Sequence, residues 1–394
     1  MYYLQRYSVN HVKSIGRRLY YLALVLLVTS ISFSQTNNDA AFPLILPGLE
    51  YVHQRIGTGP LSIHRIKIDR SQSQFAFTSS LAKKSIYGLE PLSRQIQALD
   101  PLIGRPLAAV NGDFFRIRTG LYQGDPLGLQ IVRGELVSSP KNTCFWIDPK
   151  GKPRIAYVQP SFRATWRNGT SVNFDINQEC VQDGAVLYTP SMGFSTRTKN
   201  AIELVLEKCD DSGWLPIKPG QTCNGRILSI NHEANSVIPN DKLVLSIGPA
   251  LANKIKSTEP GMVLSLSFKT SPALTGVDFA IGGGPVLIKD AKVRQFTGYQ
   301  PRHPRTAIGW NDKHFFLLVV DGRQKDLSIG MTFPELAEFM LKLGCTEAMN
   351  LDGGGSSTFW LDGQIMNSPS DGRQRWIANG LILLQKKQND KQKD

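Results

Sequence analysis

Two acidic residues stand directly behind apolar runs in the last third of the sequence. Asp321 follows HFFLLVV (His314–Val320), and Asp352 follows TEAMNL, with Gly353, Gly354 and Gly355 behind it. A carboxylate so placed can support a developing positive charge, move a proton or hold a cation. The glycines let backbone come close to a ligand, because no Cβ intervenes. Asp-Gly after a strand is also ordinary turn chemistry, so position must decide between the two readings. A second cluster, Arg302-His303-Pro304-Arg305, packs two guanidiniums and an imidazole into four residues. Guanidinium forks match phosphate oxygens, and histidine exchanges protons near neutral pH. Side chains alternate along a strand, which favours His303 with Arg305 as the pair entering a site over Arg302. Asn111-Gly112-Asp113 closes a further apolar segment, LAAV. Asn111 could hold a hydroxyl or a phosphate oxygen, and Asp113 could serve as acid, base or metal ligand; an Asx turn is the plain alternative. Backbone N–H groups of Gly282-Gly283-Gly284-Pro285 and of Gly353 to Ser356 could cradle an anion, with the hydroxyls of Ser356, Ser357 and Thr358 as added donors. Asp371, in SPSDG, is a lower-ranked acidic candidate.

The elements around these residues decide whether they meet. HFFLLVV suits a buried strand. Thr332-Phe333-Pro334-Glu335 is a capping box with Pro in the first turn, and Leu336, Phe339, Met340 and Leu343 form an apolar helical face that Gly344 ends. TEAMNL then returns as a strand. Strand, helix, strand is a βαβ unit with parallel strands, so both Asp-Gly ends come to the same edge of one sheet. Were those strands neighbours, about 4.8 Å apart, one substrate could touch both carboxylates. Upstream, SIHRIKI, QFAFTS, LAAVNG and GLQIVRGELV alternate as strands, and PLSRQIQALD carries Leu92, Ile96 and Leu99 on one helical face. From about 145 to 275 the chain reads as mostly β, with Asn168-Gly169 at a hairpin turn. The expected fold is α+β: a mixed β-sheet core with a C-terminal βαβ unit and helices packed on the sheet.

Composition bounds the function classes. Charged residues are 20% and hydrophobic residues 41% of the chain, as in an ordinary globular protein. The formal charge of +13 includes Arg6, Lys13, Arg17 and Arg18, which precede LYYLALVLLVTSISF and the small residues around Ser32–Ser34. That order reads as a secretory signal or, if uncleaved, an N-terminal anchor. The expected organisation is signal or anchor over 1–34, linker over 35–48, one domain over 49–385 and a charged tail over 386–394. A secreted or periplasmic location follows, with membrane contact only through an uncleaved N-terminus. No basic–aromatic pattern points to nucleic acid. Five cysteines, none at CxxC spacing, argue against a zinc site; Cys209 and Cys223 could pair across a loop, and Cys345 reads as a small buried hydrophobe.

The series AVNGDFF, AIGGGPVLI, RHPRTAIGW, LLVVDGR, SIGMTFPELAEFMLKLGC and MNLDGGGSST resembles the phosphodiester glycosidase family in order and spacing, and with the weaker segments LYTPSMGFSTRT, IPNDKLVLSIG and NSPSDGRQRWIANGLIL the resemblance runs over about Ala82 to Leu384. The resemblance implies cleavage of the glycosidic bond of a sugar-1-phosphodiester, with N-acetylglucosamine as the sugar. Such a reaction asks for a carboxylate to support oxocarbenium-like charge and a second group to handle the proton. Asp352, Asp321, His303 and Asp113 are the expected catalytic residues, and Arg305, Arg302, Asn111, Gly283, Gly284, Gly353, Gly354, Ser356 and Asp371 the expected substrate contacts. Two alternatives stay open: a phosphodiesterase breaking P–O with a divalent cation on Asp113, Asp321 and Asp352, and a non-catalytic polysaccharide-binding protein of the cell envelope acting in exopolysaccharide assembly.

Overall fold

Four sheets hold most of the regular structure of the described residues. A computed structural model describes residues 40–41, 46–211, 213–255 and 258–387; the apolar N-terminal segment and most of the charged tail lie outside these. Among the described residues no helix is long and apolar enough to cross a membrane.

The sheet that carries Asp321 and Asp352 runs Leu49–Ile56, Leu61–Asp69, His314–Val320, Arg305–Trp310, Glu347–Asn350 and Val286–Lys289 from one side to the other. The two strands of the expected βαβ unit are parallel, but they are not neighbours: Arg305–Trp310 lies between them, antiparallel to both. Its register sets Arg305 against Val320 and Ala307 against Asn350. Both strand ends and the start of the intervening strand therefore share one edge, with about 10 Å, two strand spacings, between the outer pair. The helix Phe333–Lys342 has the capping box read from its sequence: Thr332 accepts from the Glu335 N–H, and Glu335 accepts from the Thr332 N–H. Its apolar face, Leu336, Ala337 and Met340, packs on Leu318, Val320, Ala307 and Ala348.

On the other face, Ile66, Leu317, Val319 and Leu351 pack against Phe359, Leu381 and Leu383 of a second sheet, ordered Phe359–Leu361, Arg105–Asn111, Asn379–Gln385 and Phe75–Leu81. Phe145 and Ile281 of a third sheet complete this core. The fourth sheet, eight strands drawn from residues 159–271, includes the Asn168-Gly169 hairpin and holds a separate core around Phe162, Trp166, Leu204, Leu245 and Phe268.

The α+β expectation is thus overturned: the protein is predominantly β. Among the described strands every ladder but one short pairing is antiparallel. The physical reason lies in the crossover. Its two strands leave a gap filled by the strand preceding them in sequence, so a local parallel unit sits inside an antiparallel sheet. Besides Phe333–Lys342, the described α-helices are only Leu92–Gln97 and Pro249–Ala252. No disulfide joins described residues, and Cys209 and Cys223 are both free thiols.

Candidate active site

The site grows from the ends of strands in two sheets. Arg105–Asn111 ends at Asn111, whose side chain is wholly buried. Its Oδ1 accepts from Thr306 Oγ1 (2.7 Å) and from the Thr358 N–H (3.1 Å), and its Nδ2 donates to the Asp352 carbonyl at 2.6 Å. The Asp352 N–H in turn donates to the Gly112 carbonyl at 2.9 Å. These bonds lock the Asp113 and Asp352 loops together although 239 positions separate them in sequence.

Asp113 is buried, and one carboxylate oxygen is committed: Oδ1 accepts from the Phe114 N–H at 2.7 Å. Asn379 accepts from the Asp113 N–H at 2.8 Å and fixes the turn. The other oxygen, Oδ2, is buried without a hydrogen-bond partner of good geometry. Burial pushes this carboxyl up to about 7, against the N–H groups of Phe114 and Gly128, and the charge of Asp352 adds to the rise. The glycines nearby make the space. A Cβ on Gly282 would stand 2.2 Å from Asp113 Oδ2, and one on Gly128 would stand 2.7 Å away.

Asp352 is partly exposed, its Oδ1 accepting from the Gly353 N–H at 2.8 Å. Burial holds its carboxyl above the usual range; the Ser356 hydroxyl, the Gly353 N–H and Arg375 pull the other way. Gly353 and Gly354 serve close packing as much as any ligand. The Gly354 N–H donates to the Pro304 carbonyl, and a Cβ on Gly354 would meet the Arg323 guanidinium at 3.0 Å. Gly355 lies under Arg375, whose Nη2 is 2.9 Å from Asp371. Gly283 and Gly284 pack against the Asn350 turn: the Gly284 N–H donates to the Asn350 carbonyl at 2.7 Å, and Asn350 Oδ1 is buried without a partner.

Asp321 reaches the same edge, but both its oxygens are engaged. Oδ2 accepts from Ser62 Oγ (2.8 Å) and faces His64 Nε2 (3.2 Å), while Oδ1 accepts from Asn367 Nδ2 (3.1 Å) and the Ser368 N–H (2.9 Å). His64 also bonds the Tyr51 hydroxyl at 2.7 Å and stacks on His53. Asp321 therefore ties the strand Leu61–Asp69 to the loop at Asn367 and Ser368. Among the described residues no three His, Cys, Asp or Glu side chains gather as a metal site, so Asp113, Asp321 and Asp352 do not form one together.

The cationic residues divide in two. Arg305 is buried, stacked 3.9 Å over Phe333, and donates to the carbonyls of Met331 and Pro301. Burial, with help from Arg323, lowers it to about 10. Arg302 turns away to Glu335 and the Gly330 carbonyl. At the opening stands Arg323, exposed and in a left-handed backbone conformation (φ 60°), donating to His303 Nδ1 at 3.4 Å. Burial, then Arg323 and Arg305, hold the His303 imidazole below its ordinary value, which keeps it neutral and able to accept.

Sequence reasoning passed over Arg323, Arg375, Asn379, Ser62 and His64 as site residues. Arg323 follows Asp321-Gly322 directly and was within reach of the strand-end argument. The others sit in segments whose proximity only folding creates.

Residues 221–384 match the phosphodiester glycosidase family. Over 109 residues the chain is 38% identical to the N-acetylglucosamine-1-phosphodiester alpha-N-acetylglucosaminidase of Bos taurus, a match covering 25% of this chain and 20% of that enzyme. Over 103 residues it is 38% identical to the SPbeta prophage-derived uncharacterized protein YomE of Bacillus subtilis (strain 168), covering 25% of this chain and 16% of that protein. These relatives are therefore matched over a fifth of their length or less. A solved structure, a hypothetical protein from Synechocystis, superposes with a TM-score of 0.69 at 20% identity, covering 85% of this chain and 62% of that one; this likeness concerns the fold alone. The matched stretch includes His303, Arg323, Asp352 and Arg375, and Asp113 lies upstream of it. Over residues 221–384, then, this chain is similar to the phosphodiester glycosidase family.

Proposed function

We propose that the protein is an exported hydrolase that cleaves the bond between an anomeric carbon and a phosphodiester oxygen. The observation that carries this reading is the pairing of Asp113 with Asp352. One carboxyl is buried, raised to about 7 and without a well-aligned partner at one oxygen; the other is partly exposed and near enough for its charge to add to that rise. Environments that set two carboxyls apart in this way suit one as acid or base and the other as stabiliser of a positive centre. Asp352 supports the oxocarbenium-like charge at the anomeric carbon, and Asp113 handles the proton. Arg323 and Arg375 meet the phosphate, whose low basicity as a leaving group asks for charge stabilisation more than for a strong acid. His303, held neutral, accepts the Arg323 fork and orients it. Arg305 backs the site by fixing the Pro301–Met331 loops. The bovine relative's own name supports N-acetylglucosamine as the sugar, and the N-terminal charge and apolar pattern supports export.

Hydrolysis of N-acetylglucosamine-1-phosphodiesters in heavy-oxygen water tests the reading. Label in the released sugar is the expected result; label in the phosphate would overturn it. Asp352→Asn should lower kcat by roughly 10²–10⁴-fold with the fold intact by circular dichroism. Wild-type turnover in that variant would remove Asp352 from the chemistry.

A further inference from the structure

The loops around the site carry large apolar side chains that no part of the described chain covers. Phe194 is 77% exposed, Ile117 64% and Trp376 53%, with Leu121 and Val237 also open to solvent. Contacts link the loops that carry them one to the next. Ile117 and Trp376 line a common groove of about 500 Å³ together with Arg373 and Arg375. Ile117 and Leu121 belong to a single excursion, residues 113–128, closed by the Leu127 N–H on the Phe114 carbonyl and the Arg116 N–H on the Asp125 carbonyl. Arg197 donates to the Leu121 carbonyl at 3.0 Å, which joins that excursion to the Phe194 loop. Ser195 bridges to Val237. Asp113 sits at the root of the excursion, so its apolar tips rise from the same turn that holds the buried carboxyl.

Cations are interleaved with the apolar tips. Lys83 lies 5.6 Å over the Trp376 ring, and Lys84, Arg118, Lys199 and Arg373 are exposed. Over residues 82–90, 113–128, 190–200 and 371–376 there are eight Lys or Arg and four Asp or Glu, and two of those acids, Asp113 and Asp125, are buried. Projecting Phe, Ile and Trp among basic residues is the composition that enters the headgroup region of a bilayer: rings and aliphatic chains reach the acyl boundary while Lys and Arg meet anionic headgroups. Patches of this kind on a folded surface mark an interaction face.

We propose that this rim docks on an anionic lipid surface, presenting the Asp113–Asp352 site to material held at the membrane. A polyanionic glycan would be served by the cations and a stacking ring, and gives no reason for the aliphatic Ile117, Leu121 and Val237 to project beside them.

Sedimentation of the full-length protein with vesicles tests this, using phosphatidylcholine alone and phosphatidylcholine mixed with an equal part of phosphatidylglycerol. Wild type should partition preferentially onto the mixed vesicles. Ile117→Ser with Phe194→Ser and Trp376→Ser should weaken that partition by roughly tenfold or more. A second variant, Arg118→Glu with Lys199→Glu, should abolish the preference for the anionic vesicles and leave the protein folded by circular dichroism. Wild type that ignores phosphatidylglycerol would overturn the proposal. So would a triple serine variant that binds like wild type, which would assign binding to the apolar N-terminal segment. A change in self-association of the triple variant without a change in vesicle binding would also overturn it, in favour of a protein partner. None of these readouts depends on hydrolysis, so they stand apart from the assigned reaction.

Discussion

Replacing Asp113 by Asn exchanges a carboxyl for a neutral group of the same shape in a place where one oxygen has no partner. The wild-type carboxyl rises on folding from its ordinary 3.8 to about 7. A group raised in this way binds its proton more tightly in the folded state, so its contribution is fully present below about pH 4 and is lost as the pH climbs through 7. At about 1.4 kcal/mol per pH unit, the loss over that window is on the order of 4 kcal/mol. Asn has no such titration. It carries instead a pH-independent cost of about 1–3 kcal/mol for burying an amide N–H without an acceptor. Urea unfolding at pH 5 and pH 8 should therefore show the stability difference between variant and wild type moving by about 2–3 kcal/mol in favour of Asn at the higher pH. Turnover of an N-acetylglucosamine-1-phosphodiester should fall by roughly 10²–10⁴-fold at both pH values. Parallel stability curves for the two proteins would refute the neutral buried carboxyl, and undiminished kcat would refute its part in the reaction.

Asp321→Ala should act on stability first. It strips the acceptor from Ser62, His64, Asn367 and the Ser368 N–H at once, and a loss of about 3–5 kcal/mol in urea unfolding is expected; a change under 1 kcal/mol would show that these donors find other partners. Arg323→Gln removes a cation that holds His303 down, so the His303 imidazole should titrate at higher pH by NMR while KM for the phosphodiester rises roughly tenfold. An unmoved titration would place Arg323 away from the ring in solution. Gly282→Ala sets a Cβ 2.2 Å from Asp113 Oδ2, and should cost activity and stability together, whereas Gly134→Ala, where a Cβ meets nothing within 4 Å, should cost about 1 kcal/mol of stability from its left-handed backbone and leave turnover unchanged. Equal losses in both variants would detach the effect from Asp113.

The sequence by itself determined the local elements and which of their ends could face the same way. The capping box at Thr332, the apolar face from Leu336 to Met340 and the buried run from Phe315 to Val320 are set by neighbours a few positions apart, and they form as their spacing says. Parallel strands joined by a helix bring Asp321 and Asp352 to one edge whatever lies between them, because the crossover fixes direction. It does not fix adjacency. Arg305–Trp310 takes the middle position through ladders that no local pattern encodes, and with it the sheet becomes antiparallel and the fold class changes. The division of labour among the acids was also decided only in three dimensions. Asp321 and Asp352 look alike in sequence, each an Asp-Gly behind an apolar run, yet one is saturated by Ser62, His64 and Asn367 while the other stays partly exposed. Asp113 has its unpartnered oxygen because Gly128, in the loop before Gln130–Val132, and Gly282, in the strand Ala280–Gly283, close over it. Titration and hydrogen-bond satisfaction are set by desolvation and by partners brought from far along the chain, and those exist only once the sheets have packed.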